Sequence, residues 1–534
     1  VGRPVADTVA ETIAGAVAGA GVRVAYGVPG GEVVLLIDAL RRAGVEFVLT
    51  HHENAAAFMA AGQGELTGIP GVCISTLGPG ATNMVTGAAS ALLERAPMLV
   101  LTGALARSAP AGTTHQALDL NAVYAPVTKR SVAVTSENAA ATIDEAIALT
   151  VAPPHGPVHL SIPADVAGGL ADPRPVISAA QPNPPLAQAQ NASTLTRARS
   201  LLASAKRPAI VVGLGAMRSG AAEQVRALAR ATGAVVATLP KAKGVFPESD
   251  PSFVGTLEMA GDDIIVELLK GADVVVMAGV DVVEFDKPWR LPAPVIHVDV
   301  DRAEPVYWRA EVQLTGNIAT SLVAIATDQP TGRWTARQLA RHRRELDGFV
   351  ETSGPALQAW QVIRAVRTAL PPNAIAVSDV GAHKMVVGQA WPSYEPLTFF
   401  MANGLSSMGY SIPLGAAACM IRPERPAVSF VGDGGLSMYL GELETLARLQ
   451  LDLLVVVFLD GKLELIRRAQ AKRHVPYAGT SFLNPDFEAL GRAFGIATHR
   501  VGSAAELESV LPRVVAAGGI RLLAAEIDGD DYRF

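Results

Sequence analysis

The stretch AVSFVGDGGLSMYLGELETLARLQLDLLVVVFLDGK, Ala427 to Lys462, decides the fold. It reads as strand, glycine turn, helix, strand, turn. The first apolar run ends at Val431, Gly432-Asp433-Gly434-Gly435 forms the turn, GELETLARL supplies the helix, and the second apolar run ends at Phe458. A strand that returns through a helix makes a right-handed crossover, so the two strands are parallel and both turns leave the sheet at its carboxyl edge. Open α/β sheets bind ligands at that edge. Asp433 and Asp460, one in each turn, can therefore converge.

The same alternation extends in both directions. In residues 1–170, apolar strands such as FVLT (Phe47 to Thr50) and GVCIST (Gly71 to Thr76) alternate with Ala-rich helical stretches. Residues 171–193, rich in Pro, Ala and Gln and without helical period, read as a linker. A second α/β unit occupies 194–330, with strands AIVVG, AVVAT, DVVVMAG and VIHVDVD. Its glycines Gly213, Gly215 and Gly220 lack dinucleotide-fingerprint spacing. The charged stretch WTARQLARHRRELDGFVE in 331–355 reads as a solvated connecting helix, and alternation resumes over 356–534. The expected class is α/β, with three doubly wound parallel-sheet domains. One domain per roughly 150 residues agrees with that organisation.

Composition narrows the function. Half of the 534 residues are hydrophobic and 18% are charged, enough apolar material for several cores. The net charge of -6, with Lys and Arg scattered, leaves no basic surface for a nucleic acid partner. Cys73 and Cys419 sit in small apolar settings, as reduced core thiols of a cytoplasmic protein do. The start VGRPVADTVAETIAGAVAGAGV lacks a signal pattern, and no run approaches the roughly 18 apolar residues of a membrane span. No membrane partner is expected.

Taken alone, each turn of the opening stretch is ordinary, since Gly and Asp are common turn residues. Paired on one βαβ unit, they form a site. Two carboxylates at one edge suit a hard divalent cation such as Mg2+, which takes oxygen ligands and leaves positions for phosphate oxygens. The amides of Gly434 and Gly435 offer a diphosphate its hydrogen-bond donors. His383, after Gly381-Ala382 at the end of the strand AIAVSDV, lies at the same edge and can donate to that diphosphate.

With GDG followed by a second metal-loop ligand, the chain resembles the thiamine diphosphate enzymes that act on 2-oxo acids. The resemblance implies that Asp433, Asp460 and the carbonyl of Lys462 bind Mg2+, with Gly432, Leu463 and Leu465 also at the cofactor. It makes 1–170 a pyrimidine-binding domain and 356–534 a diphosphate-binding domain. Glu53, which follows a strand in EFVLTHHENAAAFMAA, becomes the catalytic acid opposite the cofactor's aminopyrimidine, expected in apolar company. Pro29, Thr76, Pro79 and Asn83 are implied to wall the pyrimidine, Ser406 to touch the cofactor, and Met408 in NGLSSMGYSIP to wedge between its rings.

Nearly the whole chain is most similar to acetolactate synthases, in particular the catabolic, flavin-independent kind. THQALDLNAVYAPVTKRSVAV, GVDVVEFDKPW and SYEPLTFFMANG carry that similarity. It implies decarboxylation of pyruvate and addition of the hydroxyethyl carbanion to a second carbonyl, with His115 and Gln116 entering the active site. A plain 2-oxo acid decarboxylase and a non-catalytic cofactor-binding relative are the alternatives. Active sites of this family lie between two subunits, so a homodimer is the minimum and a homotetramer is expected. Four departures stand out. Leu459 replaces the Asn that usually precedes the ligand. Glu32 follows Pro29-Gly30-Gly31 where the catabolic enzymes tend to be basic; it either repels an anionic acceptor or is a solvated helix-start residue. Ala469 replaces the bulky aromatic of the biosynthetic branch, and the Arg expected at a flavin site is missing near Phe285-Asp286, so FAD is not expected.

Overall fold

The computed structural model of the chain describes residues 7–172, 191–286, 290–300, 308–326 and 334–534. Most of the linker expected at 171–193, and the expected boundary at 330–331, lie outside them. Among the described residues no helix is long and apolar enough to cross a membrane. Both cysteines are buried and neither forms a disulfide.

Among the described residues eighteen strands form three parallel sheets of six. The first contains β1 (Val24–Val28), β2 (Glu46–Leu49), β3 (Gly71–Ser75), β4 (Met98–Ala104), β5 (Arg130–Ala133) and β6 (Pro157–Pro163), in the order β2-β1-β3-β4-β6-β5. The second contains β7 (Pro208–Val212), β8 (Val235–Thr238), β9 (Phe253–Thr256), β10 (Val274–Ala278), β11 (Val295–Asp299) and β12 (Ala310–Thr315), ordered β12-β11-β10-β7-β8-β9. The third contains β13 (Ile375–Ser378), β14 (Phe399–Met401), β15 (Ala427–Gly432), β16 (Leu453–Leu459), β17 (Ala497–Val501) and β18 (Arg521–Glu526), ordered β14-β13-β15-β16-β18-β17. The second order reverses once, at β7; the first and third reverse at β1 and β13 and again at β6 and β18, and right-handed crossovers put helices on both faces. Central strands such as β4 and β16 are buried almost from end to end, which explains why they read as unbroken apolar runs.

By internal contacts the three sheets fall into two compact units. The first comprises Val1–Asn183, Leu405–Arg422 and Tyr439–Leu451, and the second Pro184–Gly404, Pro423–Met438 and Asp452–Phe534. Two pieces of the expected third domain therefore belong with the first sheet. The helix Ser411–Ile421 is apolar all round and cannot lie half in water. It packs on the helix Glu53–Thr67, where Gly62 makes room: a Cβ there would lie 2.6 Å from Leu414 Cγ. The core of the second unit includes Val428, Phe430, Val456 and Phe458 from β15 and β16, the two strands that carry the aspartates.

Candidate active site

In the second unit, β15 and β16 pair in parallel up to Gly432 and Phe458, and both run one residue further than the apolar runs suggest. The helix expected in GELETLARL also starts earlier. It begins at Asp433, breaks after Met438 and resumes at Glu442. The two turns meet through Asp433. Its Oδ2 accepts from the backbone N–H groups of Asp460 (3.1 Å) and Gly461 (2.8 Å) and from Asn484 Nδ2 (2.7 Å), while Oδ1 accepts from Gly434 N–H at 2.8 Å.

Asp460 lies beside it, with Oδ1 accepting from Lys462 N–H at 3.0 Å. Burial and, next, the Asp433 carboxylate push the Asp460 carboxyl up to about 7. Burial, together with these acids, also raises the nearby Tyr532 phenol far above its ordinary value. Neither aspartate forms an ion pair with a described Lys or Arg side chain. Loop 460–463 is held by Gly461 O, which accepts from Phe482 N–H, and by Leu463 N–H, which donates to Thr480 O. The Lys462 carbonyl between them accepts no hydrogen bond from a described residue.

Leu459, the departure noted above, stays in strand register with Glu526, and its carbonyl accepts from Ile527 N–H. The apolar replacement is absorbed by the sheet, and Asp460 keeps its place. Leu465 packs half-buried against the core of this unit.

His383 completes the edge. Gly381 and Gly432 give its ring space, since a Cβ on either would lie 2.8 or 3.2 Å from the imidazole. Burial, reinforced by Lys384, holds the ring far below the usual imidazole range, at about 3, so it is neutral at pH 7. Its Nε2 is buried without a partner, as is Asn484 Oδ1. Ala382 is buried beside it. Among the described residues no group of three or more His, Cys, Asp and Glu is placed to hold a metal. Two carboxylates, a free carbonyl and phosphate oxygens would form an oxygen set of the kind Mg2+ takes. The unpaired imidazole and the uncompensated acids fit a diphosphate held through a divalent cation.

In the first unit, Glu53 opens the helix Glu53–Thr67 after β2. It is half-exposed rather than in wholly apolar company, because the buried face of the helix begins only at Asn54. Its Oε2 accepts from Asn83 Nδ2 at 2.9 Å. A Cβ on Gly80 would lie 3.1 Å from Oε1 and 2.8 Å from Thr76 Cγ2, so Gly80 keeps the space before Oε1 clear. Pro79 and Asn83 bound the short helix that follows Gly78, whose φ of 61° is in the left-handed region. Gln116, itself at φ 54°, packs against Gly78, and with its neighbour His115 it is exposed. Pro29 is exposed before the turn to Glu32. Ser406, exposed at φ 54°, and Met408, half-buried, also belong to this unit.

Sequence reasoning missed three residues. Asn484 and Gly529 serve the aspartates; a Cβ on Gly529 would lie 2.7 Å from Asp460 Oδ2. Glu442, buried in GELETL, accepts from the N–H groups of His51 and His52, both at 3.0 Å, and from Thr445 Oγ1 at 2.8 Å. It therefore fixes the turn that presents Glu53. Only the helical phase of Glu442, on the apolar side with Leu443 and Leu446, hinted that its carboxylate was turned inward.

The two acidic half-sites, each at the carboxyl edge of a doubly wound sheet, are those of an α/β enzyme that holds a diphosphate cofactor. Residues 7–123, 195–325 and 379–525 match the family models "Thiamine pyrophosphate enzyme, N-terminal TPP binding domain", "central domain" and "C-terminal TPP binding domain". The acetolactate synthase isozyme 2 large subunit of Escherichia coli (strain K12) is 31% identical over 95% of this chain and 93% of its own. The catabolic acetolactate synthase of Raoultella terrigena is 29% identical over 96% and 93%. The acetolactate synthase of Bacillus subtilis (strain 168) is 28% identical over 96% and 91%. The chain belongs to the thiamine diphosphate enzymes, in their acetolactate synthase family.

Glu442→Ala should lower the unfolding free energy by about 2 kcal/mol, the usual loss when hydrogen bonds to a charged group are unmade. It should also speed amide exchange at His51 and His52. Glu442→Gln, which keeps an acceptor, should lose less. Chemical unfolding and hydrogen exchange check this, and unchanged exchange at both amides would contradict it.

Proposed function

We propose that the chain decarboxylates a 2-oxo acid, with pyruvate as donor, and joins the remaining two-carbon unit to a second carbonyl. The observation that carries this reading is the meeting of the two turns at Asp433, which supplies one anionic clamp from two strand ends. Thiamine diphosphate, when bound, supplies a carbon nucleophile and an electron sink. Asp433, Asp460 and the Lys462 carbonyl would hold Mg2+. His383 and the amides of Gly434 and Gly435 would take the diphosphate.

Glu53 is the residue that moves a proton. Asn83 occupies Oε2 and orients the carboxyl group, leaving Oε1 open beside Gly80 for exchange. Gln116, an amide that both donates and accepts and that lies against Gly78, would orient the substrate carbonyl. Flavin has no place in this reading. At the glycine turn after β7, where a dinucleotide phosphate would lie, the buried Glu284 carboxylate accepts from Leu214 N–H at 2.9 Å. Glu284 thus already takes an N–H that a phosphate there would need.

We further propose a homodimer at minimum, with a homotetramer compatible. Apolar residues stand exposed around both half-sites: Val34, Leu35 and Leu49 near Glu32 and Glu53, and Ile466, Tyr477 and Leu483, the last 98% exposed, near Asp433 and Asp460. Apolar surface concentrated at the rim of a site suits cover by a second chain.

Pyruvate, Mg2+ and thiamine diphosphate should together yield CO2 and a joined product. Acetaldehyde as the sole organic product would overturn the carboligase reading in favour of a plain decarboxylase. Glu53→Gln should lower turnover by about a hundredfold or more while the variant still binds the cofactor; full activity would refute the proton-transfer role. Sedimentation of the holoprotein should give a dimer or tetramer, and a strict monomer would contradict the shared site.

A further inference from the structure

We propose that the acceptor joined to the two-carbon unit is an uncharged aldehyde, selected against a second 2-oxo acid by the carboxylate of Glu32. The proposal rests on the carboligase reading above and names the acceptor class for that same site.

Glu32 leaves the carboxyl edge of β1, and Glu53 leaves that of its neighbour β2. Thr76 stands between them. Its Oγ1 donates to Glu32 Oε2 at 2.5 Å. A Cβ on Gly30 would meet Thr76 Oγ1 at 2.5 Å and Glu32 Oε2 at 3.3 Å, and one on Gly80 would meet Thr76 Cγ2 at 2.8 Å and Glu53 Oε1 at 3.1 Å. One threonine side chain thus has the Glu32 carboxylate at its hydroxyl and the Glu53 carboxylate beyond its methyl group. Two residues further on, Gly78 carries Gln116 against it. Glu32 is therefore part of the wall that holds the acid and the substrate-orienting amide, and the glycines keep that wall open.

Among the described residues Glu32 has no Lys, Arg or His partner, and its Oε1 accepts no hydrogen bond. Its charge is left to act on whatever enters. The donor and the acceptor feel it differently. The donor's carboxylate departs as CO2, so repulsion in the bound donor is relieved by the reaction. A 2-oxo acid acceptor keeps a carboxylate next to its carbonyl from entry to release, and repulsion acts on it throughout. An aldehyde carries hydrogen at that position. The balance is one pyruvate anion, one aldehyde and one proton giving one hydroxyketone and CO2. The bond to the donor's carboxylate carbon breaks, a carbon–carbon bond forms to the aldehyde carbon, and its oxygen takes the proton.

The test uses the holoenzyme with Mg2+, thiamine diphosphate, pyruvate and an equal concentration of propanal, whose product 3-hydroxypentan-2-one is distinct from acetolactate and from the acetoin that acetolactate gives. The hydroxyketone should exceed acetolactate about tenfold. Glu32→Gln should bring the two products towards parity, through a lower KM for pyruvate as acceptor, and Glu32→Lys should favour acetolactate. Raising the salt of the wild-type reaction from about 0.05 to 0.5 M should shift it towards acetolactate by screening the charge, a measurement that needs no variant. Dominant acetolactate in the wild type, or a product ratio unmoved by both salt and Glu32→Gln, would overturn the proposal and leave the carboligase reading standing. Absence of any joined product with both acceptors would sink the carboligase reading itself, and the proposal with it.

Discussion

The site in the second unit depends on one constraint, that two carboxylates are brought to one sheet edge without a cation from the protein. Parallel β15 and β16 force the two turns together, and Asp433 ties them by accepting two backbone N–H groups from the other loop. The backbone donors satisfy Asp433 as a hydrogen-bond acceptor. They do not neutralise the pair, and like charges in a partly buried site keep Asp460 protonated to an unusually high pH. A divalent cation would remove that conflict and at the same time supply the charge a diphosphate needs. The free Lys462 carbonyl and the unpartnered His383 Nε2 are the neutral groups left for the ligands.

In the first unit the chain uses a carboxylate differently. Glu442 has no metal to serve; it gathers the N–H groups of His51 and His52 and so sets the direction in which Glu53 leaves its strand. Glu442 itself follows the helix that starts at Asp433, separated from it by a short break. A few residues of sequence thus separate the Asp433 turn from the residue that supports Glu53, although the two belong to different compact units. Glu32 adds a third use of a carboxylate, as an unpaired charge in the wall of a pocket.

Much of this was legible in the sequence because strands buried on both faces read as apolar runs and their ends expose the turns. The αβ alternation, the pairing of Asp433 with Asp460 and the edge position of His383 follow from that pattern alone. Where the helix begins did not, since all four turn residues are glycine or aspartate and such residues usually signal a loop. The grouping of Ser411–Ile421 with the first sheet was also hidden, because an apolar helix shows that it is buried without showing against what. Asn484 and Gly529 act from loops distant in sequence. Asn484 precedes a proline and Gly529 follows an aspartate, and both look like ordinary turn residues.

The claim on which the rest turns is that Asp433 and Asp460 form one cation-dependent clamp. Calorimetric titration of thiamine diphosphate into the protein, with Mg2+ and then with a chelator in its place, measures that directly. The account predicts saturable binding with Mg2+, its loss in the chelator, and its loss in Asp460→Ala even with Mg2+ present. Equal affinity with and without the cation, or an Asp460→Ala variant that binds like the wild type, would contradict it.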